Sequence, residues 1–249
     1  MINSVKTTVS SFLQKNNYGS IPVNDFNLFV KMAQLEIFDG WFSELNIVIN
    51  RENRLKSGTG YADRKKKLEE NIDVFAENNF LQHITNNQFL LPSVSYLNHR
   101  YRSITSVNYV DANGNHLAVI EKVTNAMIGS LGTSLNTAPS LIFPVYSQTG
   151  DTITILPTSI SAQDRVKCRY IRYPKDPKWT YITMGNGEPI FNQSASDFQD
   201  LELPQSEESN IVEKVLLYAG VSIREVEAWK FAKMEENENE PLLGPNSQQ

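Results

Sequence analysis

The order of apolar and polar residues along the chain predicts helices at both ends and strands between them. The first short helix follows from the spacing of Val5, Val9 and Leu13, which places them on one face. Asn3 or Ser4 is the expected N-cap, because a short polar side chain there accepts a hydrogen bond from the first turn. The sequence therefore predicts an amphipathic helix that ends before residues 16–19.

A second, longer helix is predicted after Pro22, with Asn24 as its cap. Its apolar stripe consists of Phe26, Phe29, Val30, Ala33, Ile37, Phe38 and Trp41. This stripe carries more aromatic surface than a small bundle is expected to need, which favours contacts with other copies of the chain. A third helix is predicted from about Ala62 to Asn78.

From Gln88 the pattern changes to short strands separated by turn residues. Asn113-Gly114 between two strand-like runs predicts one hairpin, and residues 148–151 predict another. The predicted strands are Phe89–Leu91, Arg102–Val110, His116–Val123, Leu141–Tyr146, Thr152–Leu156, Arg165–Arg172, Trp179–Thr183 and Pro189–Phe191. The alternation is clearest in Arg165–Arg172, where Val166, Cys168 and Tyr170 share the face expected to be buried.

Helix returns at Ser209 and is expected to end at Gly220, and a last helix is predicted from Ser222. The fold class is therefore α+β, with N-terminal helices, a central antiparallel β region and C-terminal helices. The predicted parts are a helical part over 1–85, a β-rich part over 86–205, helices over 206–238 that pack on the N-terminal helices, and a flexible tail over 239–249.

Composition narrows the function classes. The 249 residues are 40% hydrophobic, and 23 Lys and Arg against 28 Asp and Glu give a net charge of −5, which disfavours a globally basic nucleic-acid binder. A single cysteine excludes an internal disulfide framework. No apolar run reaches the roughly 20 residues of a membrane helix, so no membrane partner is expected. The opening residues lack a signal-peptide core, which predicts synthesis in the cytoplasm.

No catalytic, metal or cofactor site is predicted. Gly58-Thr59-Gly60 lacks the spacing of a phosphate-binding loop. His83, His99 and His116 do not have the spacing of metal ligands. Cys168 is expected on a buried strand face, where it serves as a small core residue.

A basic strand is the most prominent charged feature. Its cations are Arg165, Lys167, Arg169, Arg172, Lys175 and Lys178. Three interpretations remain open: an ordinary solvated sheet face, a surface for a protein partner with complementary acid groups, or a surface that faces nucleic acid. The acidic residues Glu235, Glu236 and Glu238 near the C-terminus offer such a complement in a neighbouring copy.

Two tryptophans complete the set of candidate contacts. Trp179 follows Pro174 and Pro177, so it lies on a rigid, extended connection. It belongs either to a loop pinned on its own core or to an assembly contact. Trp229, on the last predicted helix, is the other candidate contact.

Several stretches of the chain resemble the neck proteins of crAss-like bacteriophages. They are Phe26–Phe38, Pro139–Tyr146, Tyr170–Trp179, Phe198–Pro204 and Ala219–Glu225. They occur in the same order as in those proteins, and the resemblance covers about residues 24 to 238. The matching positions form packing and turn patterns rather than catalytic motifs.

The resemblance implies a virion structural protein, a head-to-tail connector that forms a homo-oligomeric ring below the portal of a short-tailed phage. It implies a dodecamer, contacts with the portal protein and other neck or tail proteins, and transient passage of DNA through the channel. Two alternatives remain: a nucleic-acid-binding accessory protein that uses residues 165–175, and a tail-associated hydrolase, for which the sequence supplies no motif.

Overall fold

A computed structural model describes residues 1–15, 19–55, 62–92, 100–183, 185 and 189–220. Its helices are α1 (Ile2–Lys15), α2 (Val23–Leu55), α3 (Ala62–Asp73), α4 (Asn125–Thr133) and α5 (Glu208–Tyr218). Its strands are β1 (Ala76–Phe80), β2 (Gln82–Thr85), β3 (Gln88–Leu90), β4 (Tyr101–Val110), β5 (His116–Lys122), β6 (Val145–Thr149), β7 (Thr152–Leu156), β8 (Val166–Arg172), β9 (Tyr181–Thr183) and β10 (Pro189–Phe191). These elements form an α+β fold, as the sequence predicts.

The chain divides into two compact units. Unit 1 comprises Met1–Ser43 and the described residues from Lys175 onward, and unit 2 comprises Glu44–Pro174. Unit 1 therefore contains α1, the first part of α2, the β9–β10 hairpin and α5. The boundary near residue 43 falls inside α2, so one continuous helix contributes residues to both units.

The core of unit 1 is built from the apolar faces of its helices. Ile2, Val5 and Val9 of α1 are buried, as are Ile211 and Val215 of α5. The stripe of α2 is also covered in the single chain: Phe26, Val30, Ala33, Ile37, Phe38 and Trp41 are buried, and Phe29 is half-buried. The expectation that this stripe needs neighbouring copies to cover it is therefore wrong.

Unit 2 is organised around an eight-stranded sheet with the order β1-β8-β4-β5-β6-β7-β3-β2. Neighbouring strands are antiparallel except β5 and β6, which pair in parallel through Glu121 with Val145 and Lys122 with Tyr146. Strands β1 and β2 stand at opposite ends of this order, yet only Leu81 separates them along the chain. The sheet therefore curves until its two ends are joined through Leu81.

The interior of the curved sheet is the core of unit 2. Its buried members are Leu81, Phe89, Leu91, Val107, Ile120, Tyr146, Ile153, Ile155, Ile160, Val166, Cys168 and Tyr170. The burial pattern of β8 alternates, with Val166, Cys168 and Tyr170 inside. This confirms the face predicted from the sequence and places β8 between two partners, β1 and β4.

The structure corrects several helix boundaries. Asn3 and Ser4 lie inside α1 and do not cap it, and Asn24 lies inside α2. The first turn of α1 is instead bonded by a distant residue, because Asp200 accepts from the Ile2 N–H at 2.7 Å. The predicted third helix ends at Asp73 rather than at 78.

Some strand predictions are also corrected. Strands β1 and β2 lie within residues 1–85, which the sequence pattern assigned wholly to helices. The predicted strand Leu141–Tyr146 begins only at Val145, and the helix α4 before it was not predicted. The hairpin across Asn113-Gly114, the strand β7 and the end of the C-terminal helix near Gly220 are confirmed.

The last predicted helix and the tail over 239–249 lie outside the described residues. The part of the predicted C-terminal region that is described, α5, packs on the N-terminal helices as expected. Lys214 Nζ donates to Glu36 Oε1 of α2 at 2.5 Å, and the Tyr218 ring lies 6.2 Å from that of Phe29. Within the ranges given above, none of the helices has both the length and the apolar character of a membrane span.

Candidate assembly surface

The connection between β5 and β6 is the most exposed apolar part of the described chain. We call residues 123–144 the apolar crossover. The sequence has no charged residue from Val123 to Gly150, a stretch that also contains no histidine. None of the residues of α4 is buried. Beyond the helix, Leu135 is 100% exposed, Ile142 73% and Phe143 75%.

Local hydrogen bonds give the crossover a defined conformation. Thr124 caps α4, since its side chain accepts from the Met127 N–H at 3.3 Å. Ser140 and Phe143 close a turn in which the Ser140 N–H donates to the Phe143 carbonyl at 3.3 Å. Residues 141 and 142 form the tip of this turn. The crossover therefore presents Ile142 at the tip of a hydrogen-bonded turn and Phe143 at its end.

Both ends of the crossover are fixed to the sheet of unit 2. The Val123 N–H donates to the Tyr146 carbonyl at 2.8 Å, and Pro144 is buried. Asn125 Nδ2 donates to the Gln148 carbonyl at 3.0 Å. A parallel pair of strands requires a long connection of this kind, which explains why the crossover exists but not why its surface is apolar.

A second exposed apolar surface lies in unit 1, on the β9–β10 hairpin. Tyr181 pairs with Phe191 and Ile182 with Ile190 across the two strands. Because side chains alternate along a strand, the first pair faces one side of the hairpin and the second pair faces the other. We call Ile182 and Ile190 the outer hairpin face. Ile182 is 59% exposed and Ile190 39%.

Trp179 supports the opposite side of this hairpin. Its ring stacks at 5.9 Å on both Tyr181 and Phe191. The side chain is only 5% exposed, and its Nε1 donates to Asn3 Oδ1 at 3.0 Å. Of the two alternatives from the sequence, the structure selects the loop pinned on its own core, and Trp179 is not a surface contact in this form of the protein.

Two side-chain amides of α2 hold the segment that carries the hairpin. Gln34 Nε2 donates to the Lys175 carbonyl at 2.7 Å, and its Oε1 accepts from the Glu202 N–H at 3.1 Å. Asn27 binds both main-chain groups of Trp179, at 2.8 and 3.2 Å. The segment that carries the hairpin is thus held by α2 at residues 175 and 202, and at Trp179 just before β9. Neither amide was singled out from the sequence, because each lies in an ordinary helical pattern.

The predicted basic strand is less basic than its sequence indicates. Arg172 follows Val166, Cys168 and Tyr170 at a spacing of two, so it lies on the same side of β8 as these buried residues. Its Nε donates to Glu77 Oε1 at 2.9 Å. Its guanidinium also lies 5.5 Å from the Phe75 ring centre. Lys178 pairs with Asp197 at 2.6 Å in unit 1. Arg172 therefore does not belong to an open cationic face.

The outward cations that remain on this strand are spread out. Lys167 Nζ lies 5.3 Å from the Phe80 ring centre, and Arg165 interacts electrostatically with Asp111. Arg169 is exposed. Because β8 is paired on both sides, this face is a strip of an inner strand rather than a groove. The arrangement matches the solvated sheet face that the sequence left open.

The remaining candidates give no further site. Trp229, Glu235, Glu236 and Glu238 lie outside the described residues. Burial raises the pKa of the Cys168 thiol to about 12, so this cysteine is a protonated core residue. In the described ranges, no group of three or more His, Cys, Asp or Glu side chains is placed to hold a metal ion.

The comparisons with known proteins do not identify the chain. No protein-family model matches it, and no curated protein is significantly similar to it.

Proposed function

We propose that this chain is a virion structural protein, a portal-to-tail adaptor whose copies form a ring around the channel through which the genome leaves. The observation that carries the proposal is the apolar crossover, an ordered, uncharged and solvent-exposed segment. Apolar surface of this kind on a folded chain is typical of a protein that completes its burial against partners.

The free energy that the crossover contributes to a contact between copies can be judged from three side chains. Burying an exposed Leu, Ile or Phe side chain contributes about 1.5–3 kcal/mol, so Leu135, Ile142 and Phe143 together contribute roughly 4.5–9 kcal/mol in one contact. The entropic cost of association is roughly 4–15 kcal/mol. These side chains therefore offset much of that cost, and a stable ring needs the rest of a standard interface as well.

An adaptor must let DNA pass without retaining it, and phosphate groups are retained where Lys and Arg neutralise them. The nucleic-acid-binding alternative loses one of its proposed cations, because Arg172 is paired with Glu77.

The test is the assembly state of the full chain, measured by native mass spectrometry and by averaged images of purified virions. We expect closed rings, alone or with portal protein, and density for the chain in the neck. Phe143→Asp should abolish ring formation, because a charge would have to be buried in the contact. Val74→Asp is the matched control, since Val74 is an apolar residue outside the crossover that is also mostly exposed, at 62% against 75% for Phe143.

A chain that stays monomeric at high concentration with portal protein present, and that is absent from virions, would overturn the proposal. Equal assembly of Phe143→Asp and wild type would remove the crossover from the argument.

A further inference from the structure

The crossover needs a partner surface of a particular kind. A charged group placed opposite an uncharged, apolar segment loses its water and gains no partner, which is costly. The partner surface should therefore be apolar and free of charge. It should also be rigid, since ordering flexible side chains on binding lowers affinity.

The outer hairpin face meets these requirements among the described surfaces of this chain. The strands β9 and β10 contain no charged residue, and Ile182 and Ile190 form a cross-strand pair that faces outward. The Trp179 stack fixes the hairpin from its other side. By contrast, the exposed Leu28 and Met32 of α2 flank Lys31, which is paired with Asp176.

We propose that the crossover of one copy packs on the outer hairpin face of the next copy. This inference rests on the proposed function and specifies the contact that would build the ring. The crossover belongs to unit 2 and the hairpin to unit 1, so each copy carries one of each surface. A contact between two different surfaces is heterologous, and it generates a ring when the rotation between copies closes.

The single buried cysteine makes this contact measurable by cross-linking. The chain has one cysteine, Cys168, which is fully buried with a raised thiol pKa, so an introduced surface cysteine is the reactive thiol. The variants are I142C, at the tip of the crossover, and I182C, on the outer hairpin face. V74C is the control for an exposed thiol outside both surfaces.

Each full-length variant is expressed alone and each pair is co-expressed, and the assemblies are treated with a short bismaleimide. We expect I142C with I182C to shift from the mass of one chain to that of two on a denaturing gel. Neither variant alone should shift, and V74C with I182C should not. The double variant I142C/I182C should give a ladder of linked chains, because every copy then donates and accepts.

Two results would overturn the inference and leave the proposed function standing. In the first, rings form but I142C cross-links to itself, which indicates a symmetric contact between two crossovers. In the second, rings form and the co-expressed pair does not cross-link. If wild type forms no ring and is absent from virions, the proposed function and this contact fail together.

Discussion

Replacing Gln34 with methionine tests whether one side-chain amide holds the hairpin segment on α2. Gln34 is 1% exposed, and its two polar atoms bind the main chain at residues 175 and 202. Methionine has a similar length and fills the same space with an apolar, flexible chain. The substitution therefore removes both hydrogen bonds and leaves the packing nearly unchanged.

The expected loss of stability follows from the two hydrogen bonds that are removed and from the two partly buried main-chain groups that lose their partner. A hydrogen bond contributes about 0.5–1.5 kcal/mol, and a buried group left without a partner costs about 1–3 kcal/mol. The carbonyl of Lys175 and the N–H of Glu202 are partly buried here, so water replaces the lost bonds only in part. We expect Gln34→Met to lower the free energy of unfolding by roughly 2–4 kcal/mol.

The assay is urea unfolding followed by tryptophan fluorescence, which reports on Trp41 and Trp179 in unit 1. The transition of Gln34→Met should move to lower urea. Gln14→Met is the matched control, because Gln14 is an exposed helical glutamine, and its transition should move by less than about 0.5 kcal/mol. Equal transitions for the two variants would refute the reasoning that the amide fixes the segment.

Three further predictions concern single side chains. The Cys168 thiol should not react with an aromatic disulfide reagent at roughly pH 8 until the protein is unfolded, since burial raises its pKa to about 12. Hydrogen bonds, first from Lys214, lower the pKa of Glu36, so its contribution to stability should be present above about pH 4.3 and be lost as the pH falls through the lower folded-state pKa. The stability difference between wild type and Glu36→Gln should accordingly shrink in urea titrations at low pH. Glu77→Gln should cost about 1–3 kcal/mol in urea unfolding followed by far-UV circular dichroism, which reports on the strands of unit 2, because it weakens the bond to the partly buried Arg172.

Each of these has a matched control or a contradicting result. Rapid labelling of folded protein would contradict the burial of Cys168. A pH-independent difference for Glu36→Gln would contradict the link to ionisation. Glu70→Gln serves as the control for Glu77→Gln, because Glu70 forms an exposed pair with Lys66 and should cost less than about 0.5 kcal/mol.

The strands that the sequence predicts well are those in which the alternation of apolar residues decides the structure. In β8 the buried set Val166, Cys168 and Tyr170 has a period of two and needs no tertiary information. Strand β1 has no such pattern, since it reads Ala-Glu-Asn-Asn-Phe. It is a strand because it pairs with β8 over five positions, which is a tertiary effect.

The candidate surface could be predicted in composition but not in exposure. The absence of charge from Val123 to Gly150 is visible in the sequence, yet an apolar run such as Leu141-Ile142-Phe143 favours a buried strand. The Ser140–Phe143 turn and the buried Pro144 keep this run out of the sheet. The burial of Trp179 could not be predicted from the sequence either, because its hydrogen-bond partners Asn27 and Asn3 lie more than 150 residues away in the chain.

The division of the chain has a consequence for synthesis. Unit 2 is one uninterrupted stretch, Glu44–Pro174, whereas unit 1 needs residues from before and after it. A nascent chain leaving the ribosome can therefore finish unit 2 first. Helix α1 emerges earliest, yet its apolar face lacks the contact with α5 until residues 208–218 have been translated. During that interval the apolar face is open to aggregation, and a chain cut short before residue 208 would keep it so.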